Sequence, residues 1–194
     1  MKGSEVRKAD HPIDVLFLDR WSPRAMSGEP VTREELLTLF EAARWAPSSF
    51  NAQPWRMLYA HRDTEHWPRF FDLLVDNNKR WCVNAGALVL FVSRMVTDQG
   101  RASVTHSFDT GAAWASLALQ GWLKGLVVHG MSGFDYARAK VSLKVPDDCR
   151  VEAMIAVGRP GRKEGLPEPL QAREVPNTRK PVTEIVCEGE YGFG

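Results

Sequence analysis

The longest apolar run in the sequence is Ala85–Val92, which reads AGALVLFV. From Ala87 onward it is continuous and contains β-branched residues, a pattern typical of a strand buried on both faces. Val151–Val157 is predicted to be a second buried strand. Strands buried in this way need helices to cover the sheet. At eight residues, the run is too short to span a bilayer.

Helical patterns lie on both sides of these strands. The clearest begins at Thr32–Glu35, a capping box followed by apolar residues on one face, and it stops before Pro47. The longest stretch, Phe108–Lys124, is rich in small residues that allow another backbone to approach closely, and Gly125 suits its C-terminal end. Further helices are predicted at Pro12–Asp19 with Asp10 as its cap, Glu65–Asn77 and Asp135–Leu143, and a further strand at Arg56–Ala60. This interleaving predicts an α+β or α/β fold.

Length, composition and charge predict an ordinary globular protein. The 194 residues, 44% of them hydrophobic and 25% charged, suit one domain over residues 1–194 and exclude disorder across the whole chain. The net charge of +1 favours neither nucleic acid nor membrane as a partner. Residues 1–10 are polar, so no signal peptide is expected, and the spacing of the five histidines predicts no metal site.

The three cysteines are an odd number without a CxxC pair, which favours reduced thiols in the cytoplasm over a disulfide scaffold. Cys149 follows Asp147 and Asp148, and this negative charge is expected to raise the pKa of its thiol. Cys82 and Cys187 have no nearby histidine and are interpreted as small packing residues.

Well-known nucleotide and hydrolase motifs are absent, because the sequence has no GxGxxG, no GxxxxGK[ST], no GxSxG and no HExxH. Three loops nevertheless concentrate groups that bind anions or flat heterocycles. The first places Arg20 and Arg24 on either side of Ser22. Guanidinium forks suit phosphate, and the hydroxyl adds a donor, although two loop arginines are by themselves usually only solvated.

The second loop, Pro47–Trp55, holds two hydroxyls and two primary amides between prolines that stiffen the backbone. Asn51 and Gln53 each offer a paired donor and acceptor, as the edge of a flat heterocycle requires. A turn that caps itself is the alternative. The third loop, Gly130–Phe134, contains glycines that permit close approach to a planar ligand, but it also suits an ordinary turn.

These segments together, in this order, resemble the nitroreductase family of flavin enzymes over about residues 13–185. The motifs that carry the resemblance are Arg20-x-Ser22-x-Arg24, Ala46–Trp55, Asp109–Ala113, Gly125–Asp135 and Ile155–Pro160. The resemblance implies an α+β fold with a central, mostly antiparallel sheet flanked by helices. It also implies a homodimer with FMN sites at the subunit interface. The proline-rich tail after Gly158 would then be extended and exchanged between subunits.

The resemblance also implies which residues contact the cofactor. They are Arg20, Ser22, Arg24 and Arg179 around the phosphate and ribityl chain, Pro47, Ser48, Ser49 and Asn51 from the other subunit, Gly130, Met131, Ser132 and Gly133 along the ring, and Asn78 at the flavin edge. Gln53 is also expected to contact the cofactor. NADH or NADPH would deliver hydride, and a nitroaromatic, quinone or free flavin would accept the electrons in a ping-pong cycle. Arg20 would also stabilise the reduced flavin, and no side chain is clearly required as acid or base.

The sequence departs from the family pattern at two positions. Ser132 stands where many members carry an acidic residue, and Trp81 stands near a basic position of some members. Both departures concern the range of substrates rather than the fold. Three alternatives stay open: another flavin reaction such as dehydrogenation or dehalogenation, a flavin-binding redox sensor without turnover, and an interaction module with a basic tail at Arg173–Lys180.

Overall fold

A computed structural model describes residues 1–193. Within these residues four strands form one antiparallel sheet in the order β1-β2-β4-β3. The strands are β1 (Trp55–His61), β2 (Ala87–Arg94), β3 (Val127–Met131) and β4 (Cys149–Gly158). The helices are α1 (Val15–Asp19), α2 (Arg33–Arg44), α3 (Trp67–Phe71), α4 (Asp76–Cys82), α5 (His106–Leu123), α6 (Tyr136–Ser142) and α7 (Glu168–Gln171). The α+β class with a central antiparallel sheet is confirmed.

Strand β2 is buried on both faces, as its continuous apolar run predicts. Leu88 and Leu90 pack on the side covered by α3, α4 and α6, whereas Val89 and Phe91 pack on the side covered by α2 and α5. This alternation follows from the two-residue period of a strand. Burying each such side chain stabilises the fold by about 1.5–3 kcal/mol, so the central strands hold the two helical layers together.

Local signals at two helix ends are confirmed. The Thr32 hydroxyl accepts from the Glu35 N–H at 3.2 Å, and the Glu35 carboxylate accepts from the Thr32 N–H at 2.9 Å, which closes the capping box of α2. Gly125 adopts a φ of +68° just after α5, a conformation that suits glycine. Contacts between residues close in the sequence therefore fix the start of α2 and the end of α5.

The single helix predicted over Glu65–Asn77 is wrong, because α3 and α4 are separate. The connection between them pairs with a distant segment. The Val75 N–H donates to the Gly133 carbonyl at 3.1 Å, and the Asp135 N–H donates to the Leu73 carbonyl at 2.9 Å. These long-range bonds use backbone groups that a continuous helix would need, so the chain turns there instead.

Three smaller predictions also need correction. Helix α1 begins at Val15 with Asp14 as its cap, not at Pro12 after Asp10. Gly130 and Met131 are the last residues of β3 rather than part of a loop. Cys187 is exposed and is not a packing residue.

The described residues divide into two compact units. One contains residues 1–21 and 175–193, and the other contains Ser22–Glu174 with the whole sheet. The chain after Gly158 is not simply extended, because it forms α7 and 3₁₀ turns at Lys163–Gly165 and Val182–Glu184. One domain over residues 1–194 and exchange of the tail between subunits stay predictions. No helix in the described part of the chain is long and apolar enough to cross a membrane.

Candidate functional site

The smaller unit brings two of the predicted phosphate ligands, Arg20 and Arg179, close to a third arginine, Arg7. Burial and the neighbouring charges of Arg7 and Arg179 lower the pKa of Arg20. Burial and the charge of Arg179 lower the pKa of Arg7. Three like charges in one place repel each other, and an anion relieves that repulsion. The three side chains, which we call the arginine cluster, therefore suit a phosphate group.

Hydrogen bonds from Arg7 hold the arginine cluster in place. Its guanidinium donates to the carbonyls of Leu18 and Arg20, both at 2.8 Å, and to the carbonyl of Asn177 at 2.7 Å. The Asn177 side-chain oxygen in turn accepts from Arg179 at 2.9 Å. Arg7 thus ties the end of α1 to the C-terminal segment 170 residues away in the chain.

Sequence reasoning missed Arg7, because a lone arginine in a polar N-terminal segment has no local signal. A cavity of about 420 Å³ adjoins the cluster and is lined by Arg7, Arg179 and Lys180 together with Asp10 and His11. Among the described residues no carboxylate forms an ion pair with Arg7 or Arg179. The cavity therefore presents uncompensated positive charge.

Ser22 and Arg24, the other predicted phosphate contacts, begin the larger unit. Both are half-buried, and the backbone of Arg24 is held by Glu174, whose Oε1 accepts from the Arg24 N–H at 2.6 Å and from the Ala25 N–H at 2.7 Å. Glu174 is itself buried. A carboxylate 150 residues further along the chain thus fixes the path of this segment.

Asn78 and Gly133 are brought together at the β3 edge of the sheet. The Asn78 amide donates to the Gly133 carbonyl at 2.9 Å, and its oxygen accepts from the Trp81 indole N–H at 3.3 Å. A Cβ on Gly133 would lie 2.5 Å from the Asn78 amide nitrogen, so this contact requires glycine. Trp81 is buried in the core and acts by orienting Asn78. The amide pair is therefore preorganised.

The rest of the third predicted segment has mixed exposure. Met131 is buried and Ser132 is exposed. A Cβ on Gly130 would lie 3.0 Å from the Trp114 ring, so packing against α5 accounts for this glycine. Next to it, His129 donates to the Pro23 carbonyl at 2.9 Å and lies 4.7 Å from the Trp81 ring. Segment 22–24 therefore adjoins the β3 edge.

Segment 47–53 is tightly organised. The Ser49 N–H donates to the Asp109 carboxylate at 3.2 Å, and the Gln53 N–H donates to the Ser48 hydroxyl at 3.0 Å. Phe50, Asn51 and Gln53 have φ values of 50°, 55° and 47°. Non-glycine residues rarely adopt this region, and such strain collects at functional segments. Pro47 is exposed and adds no hydrogen bond donor.

Segment 47–53 and the Asn78–Gly133 pair do not meet within one chain. The first leads into β1 and the second follows β3, and these strands form opposite edges of the sheet. Three strand spacings separate the edges by about 14 Å. The two sets of residues therefore lie at opposite edges of the sheet in a single chain.

The two buried cysteines, Cys82 and Cys149, have thiol pKa values above the ordinary one, so neither favours the reactive thiolate form. Burial, followed by the charge of Asp148, raises the pKa of the Cys149 thiol, as its neighbours predict. Burial also raises the pKa of Cys82. No group of His, Cys, Asp and Glu side chains in residues 1–193 has the arrangement of a metal site.

Comparisons with known proteins agree on one family. Residues 18–81 match the model of the nitroreductase family. A crystal structure described as an oxidoreductase containing FMN is 46% identical, covers 100% of both chains and has a TM-score of 0.95. The structure of a nitroreductase family protein from Clostridium difficile 630 is 20% identical over 91% of this chain and 97% of that one, with a TM-score of 0.69. Nitrobenzene nitroreductase from Ectopseudomonas oleovorans is 46% identical over 44 residues, which are 23% of this chain and 19% of that enzyme.

Proposed function

The chain belongs to the nitroreductase family, and on that premise we propose that it is an FMN-dependent oxidoreductase. The arginine cluster carries the proposal. Arg7 and Arg20 are half-buried and the neighbouring Arg179 adds a third positive charge, so the cluster favours an anion, and the phosphate of FMN is such an anion. The similarity to an oxidoreductase that contains FMN supports the same cofactor.

Arg20 and Arg179 would hold the phosphate, and Arg7 would keep both in position through its backbone bonds. The Asn78 amide and the chain at Gly133 would meet the flavin ring. When bound, FMN supplies the capacity to accept a hydride and to pass two electrons on to an acceptor, which no side chain here provides. The predicted contacts of Ser22, Arg24, Pro47, Ser48, Ser49, Asn51, Gln53, Gly130, Met131 and Ser132 remain part of the proposal.

A second copy of the chain is proposed to complete each site. Helix α5 exposes an apolar face on which Phe108 is 82% exposed and Leu123 is 64% exposed. Gly111 and Ala115 are also exposed on α5, and a Cβ on Gly111 would meet nothing within 4 Å. Small residues here let a partner helix approach closely. Pairing through α5 would bring segment 47–53 of one subunit to the β3 edge of the other.

The proposed reaction passes two electrons from NADH or NADPH to a nitroaromatic or quinone acceptor. With a nitro compound the balance is NAD(P)H + H⁺ + ArNO₂ → NAD(P)⁺ + ArNO + H₂O. Donor and acceptor would use the same exposed face in turn, which gives ping-pong kinetics. The three free cysteines suit a reducing compartment, so the cytoplasm is the proposed location.

The test compares FMN with riboflavin, which lacks the phosphate. Arg179→Gln is expected to weaken FMN binding about tenfold or more, because a charge-assisted contact contributes roughly 1.5–3 kcal/mol. Riboflavin binding should not change. Lys163→Gln, which alters an exposed lysine in a 3₁₀ turn, is the matched control.

Both affinities are measured by fluorescence titration of the protein from which any bound flavin has been removed. Equal losses for FMN and riboflavin in Arg179→Gln would show that the cluster does not bind the phosphate. A colourless protein that also fails to take up added FMN would refute the proposed function itself.

A further inference from the structure

The larger unit contains a cavity in which residues assigned to the flavin form one wall and residues without an assigned role form the other. It measures about 580 Å³ and lies between segment 49–54 and the hairpin at residues 94–105. The hairpin closes through a bridge between Val96 and Ala102, with Gly100 at a φ of +73° in its turn. Pockets for small molecules measure about 300–1,000 Å³, so this cavity is large enough for a substituted aromatic ring.

Positive charge dominates the lining of the cavity. Arg56, Arg94 and Arg101 line it, and Asp98 is the acidic residue among the lining groups. Arg94 is neutralised, because it contacts Asp98 at 2.6 Å and Asp148 at 3.6 Å. Within residues 1–193 neither Arg56 nor Arg101 forms an ion pair. The cavity therefore has two uncompensated guanidiniums.

Arg56 is held in place by neutral groups. One of its terminal nitrogens donates to the carbonyls of Gln53 at 3.0 Å and Trp55 at 2.7 Å. These bonds orient the guanidinium without cancelling its charge, and they leave its other terminal nitrogen available. A planar fork of this kind suits bidentate contact with a carboxylate.

The remaining lining is mixed, with polar side chains interspersed among apolar ones, and its apolar part includes Phe50 and Val104. Phe50 is 103% exposed and Val104 is 94% exposed, so both offer apolar surface to a ligand beside the two arginines. Phe50 also has a positive φ of 50°, which a bulky residue adopts only where its surroundings enforce it. An aromatic ring would cover this surface while a charged substituent reaches the guanidiniums.

We propose that this cavity selects aromatic acceptors that carry a carboxylate, with Arg56 and Arg101 as the ligands of that group. The inference rests on the proposed function, because segment 49–54 includes residues assigned to the flavin. It goes beyond that function by specifying that the aromatic acceptor carries a negative charge. The phosphates of the dinucleotide donor are the other source of an anion, and the experiment separates the two.

The experiment measures turnover of nitrobenzene and 4-nitrobenzoate by the purified holoenzyme and its variants. In Arg101→Gln the kcat/KM for 4-nitrobenzoate is expected to fall about tenfold, the effect of losing one charge-assisted hydrogen bond, while that for nitrobenzene stays unchanged. Arg56→Gln should act in the same direction, and Arg101→Lys should retain most of the preference. Lys163→Gln is the control for net charge.

A calorimetric titration of 4-nitrobenzoate into the same proteins provides a readout without turnover. Its dissociation constant should rise about tenfold in Arg101→Gln. This titration works on the purified protein even if no NAD(P)H is oxidised, so failure of the proposed function and failure of this inference are distinguishable.

Two results would overturn the inference. Equal changes for both acceptors would show that the arginines do not recognise the carboxylate. A higher KM for NADH or NADPH in Arg101→Gln, with the acceptor ratio unchanged, would assign the cavity to the phosphates of the donor instead.

Discussion

Replacing Glu174 by alanine tests whether one buried carboxylate fixes the path of the segment around Arg24. Glu174 accepts backbone hydrogen bonds from Arg24 at 2.6 Å and Ala25 at 2.7 Å. A hydrogen bond to a charged group contributes roughly 1.5–3 kcal/mol, so removing both should cost about 3–6 kcal/mol. That loss is a large part of the roughly 5–15 kcal/mol that stabilises a typical fold.

Glu174→Gln separates the role of the acceptor from that of the charge. The second carboxylate oxygen is buried without a hydrogen-bond partner in the described residues, so an amide nitrogen at that position breaks no bond. The remaining amide oxygen still accepts from both N–H groups. We expect this variant to lose about 2–3 kcal/mol, because a neutral acceptor is weaker than a charged one and the amide N–H groups are buried without an acceptor.

Thermal unfolding followed by circular dichroism measures both effects. For a chain of this length, 1 kcal/mol corresponds to about 2–4 °C in Tm, so Glu174→Ala should melt about 10–15 °C lower and Glu174→Gln about 6–8 °C lower. Glu168→Ala, at an exposed position in the first turn of α7, is the matched control and should melt with the parent. A Glu174→Ala variant that melts with this control would refute the reasoning, because two buried N–H groups would then have lost their acceptor without cost.

Three further predictions concern the fold and the thiols. Thr32→Ala removes the cap of α2 and should lower the free energy of unfolding in urea by about 1 kcal/mol. Gly121→Ala places a Cβ 2.3 Å from the Val128 side chain and should destabilise by about 1–3 kcal/mol, whereas a double variant with Val128→Ala should be less affected than the sum of the two single variants; additive losses would contradict the contact. Cys187 is exposed and should react with a disulfide reagent well before Cys149, whose thiol is buried and has a raised pKa; equal rates would contradict this order.

Prediction from sequence succeeded wherever neighbouring residues carry the information. The capping box at Thr32, the glycine after α5 and the apolar run of β2 each depend on contacts within a few residues or on burial of every side chain in a run. The helix predicted over Glu65–Asn77 failed for the opposite reason. Its interruption comes from pairing with Gly133–Asp135, about 60 residues away, which no local pattern encodes.

In the candidate site, too, residue types can be read from the sequence, whereas the contacts between them depend on the folded chain. The resemblance to the family implies Arg20, Asn78 and Gly133 as cofactor contacts, an assignment that stays a prediction, and the structure shows what holds these residues in place. The Asn78 amide meets Gly133 because the two segments pair as strands do, with a bridge between Leu74 and Phe134. Arg7 escaped prediction since its partners are at the end of α1 and near the C-terminal end.

The amino-acid sequence alone determines the buried strands, the helix ends and the order of the motifs that mark the family, because these depend on residue type and short-range spacing. The chain path determines which charges meet. It brings Arg7 to Arg20 and Arg179, and it leaves segment 47–53 and Gly133 at opposite edges of the sheet. Long-range backbone hydrogen bonds and burial set these distances, and they exist only once the chain has folded.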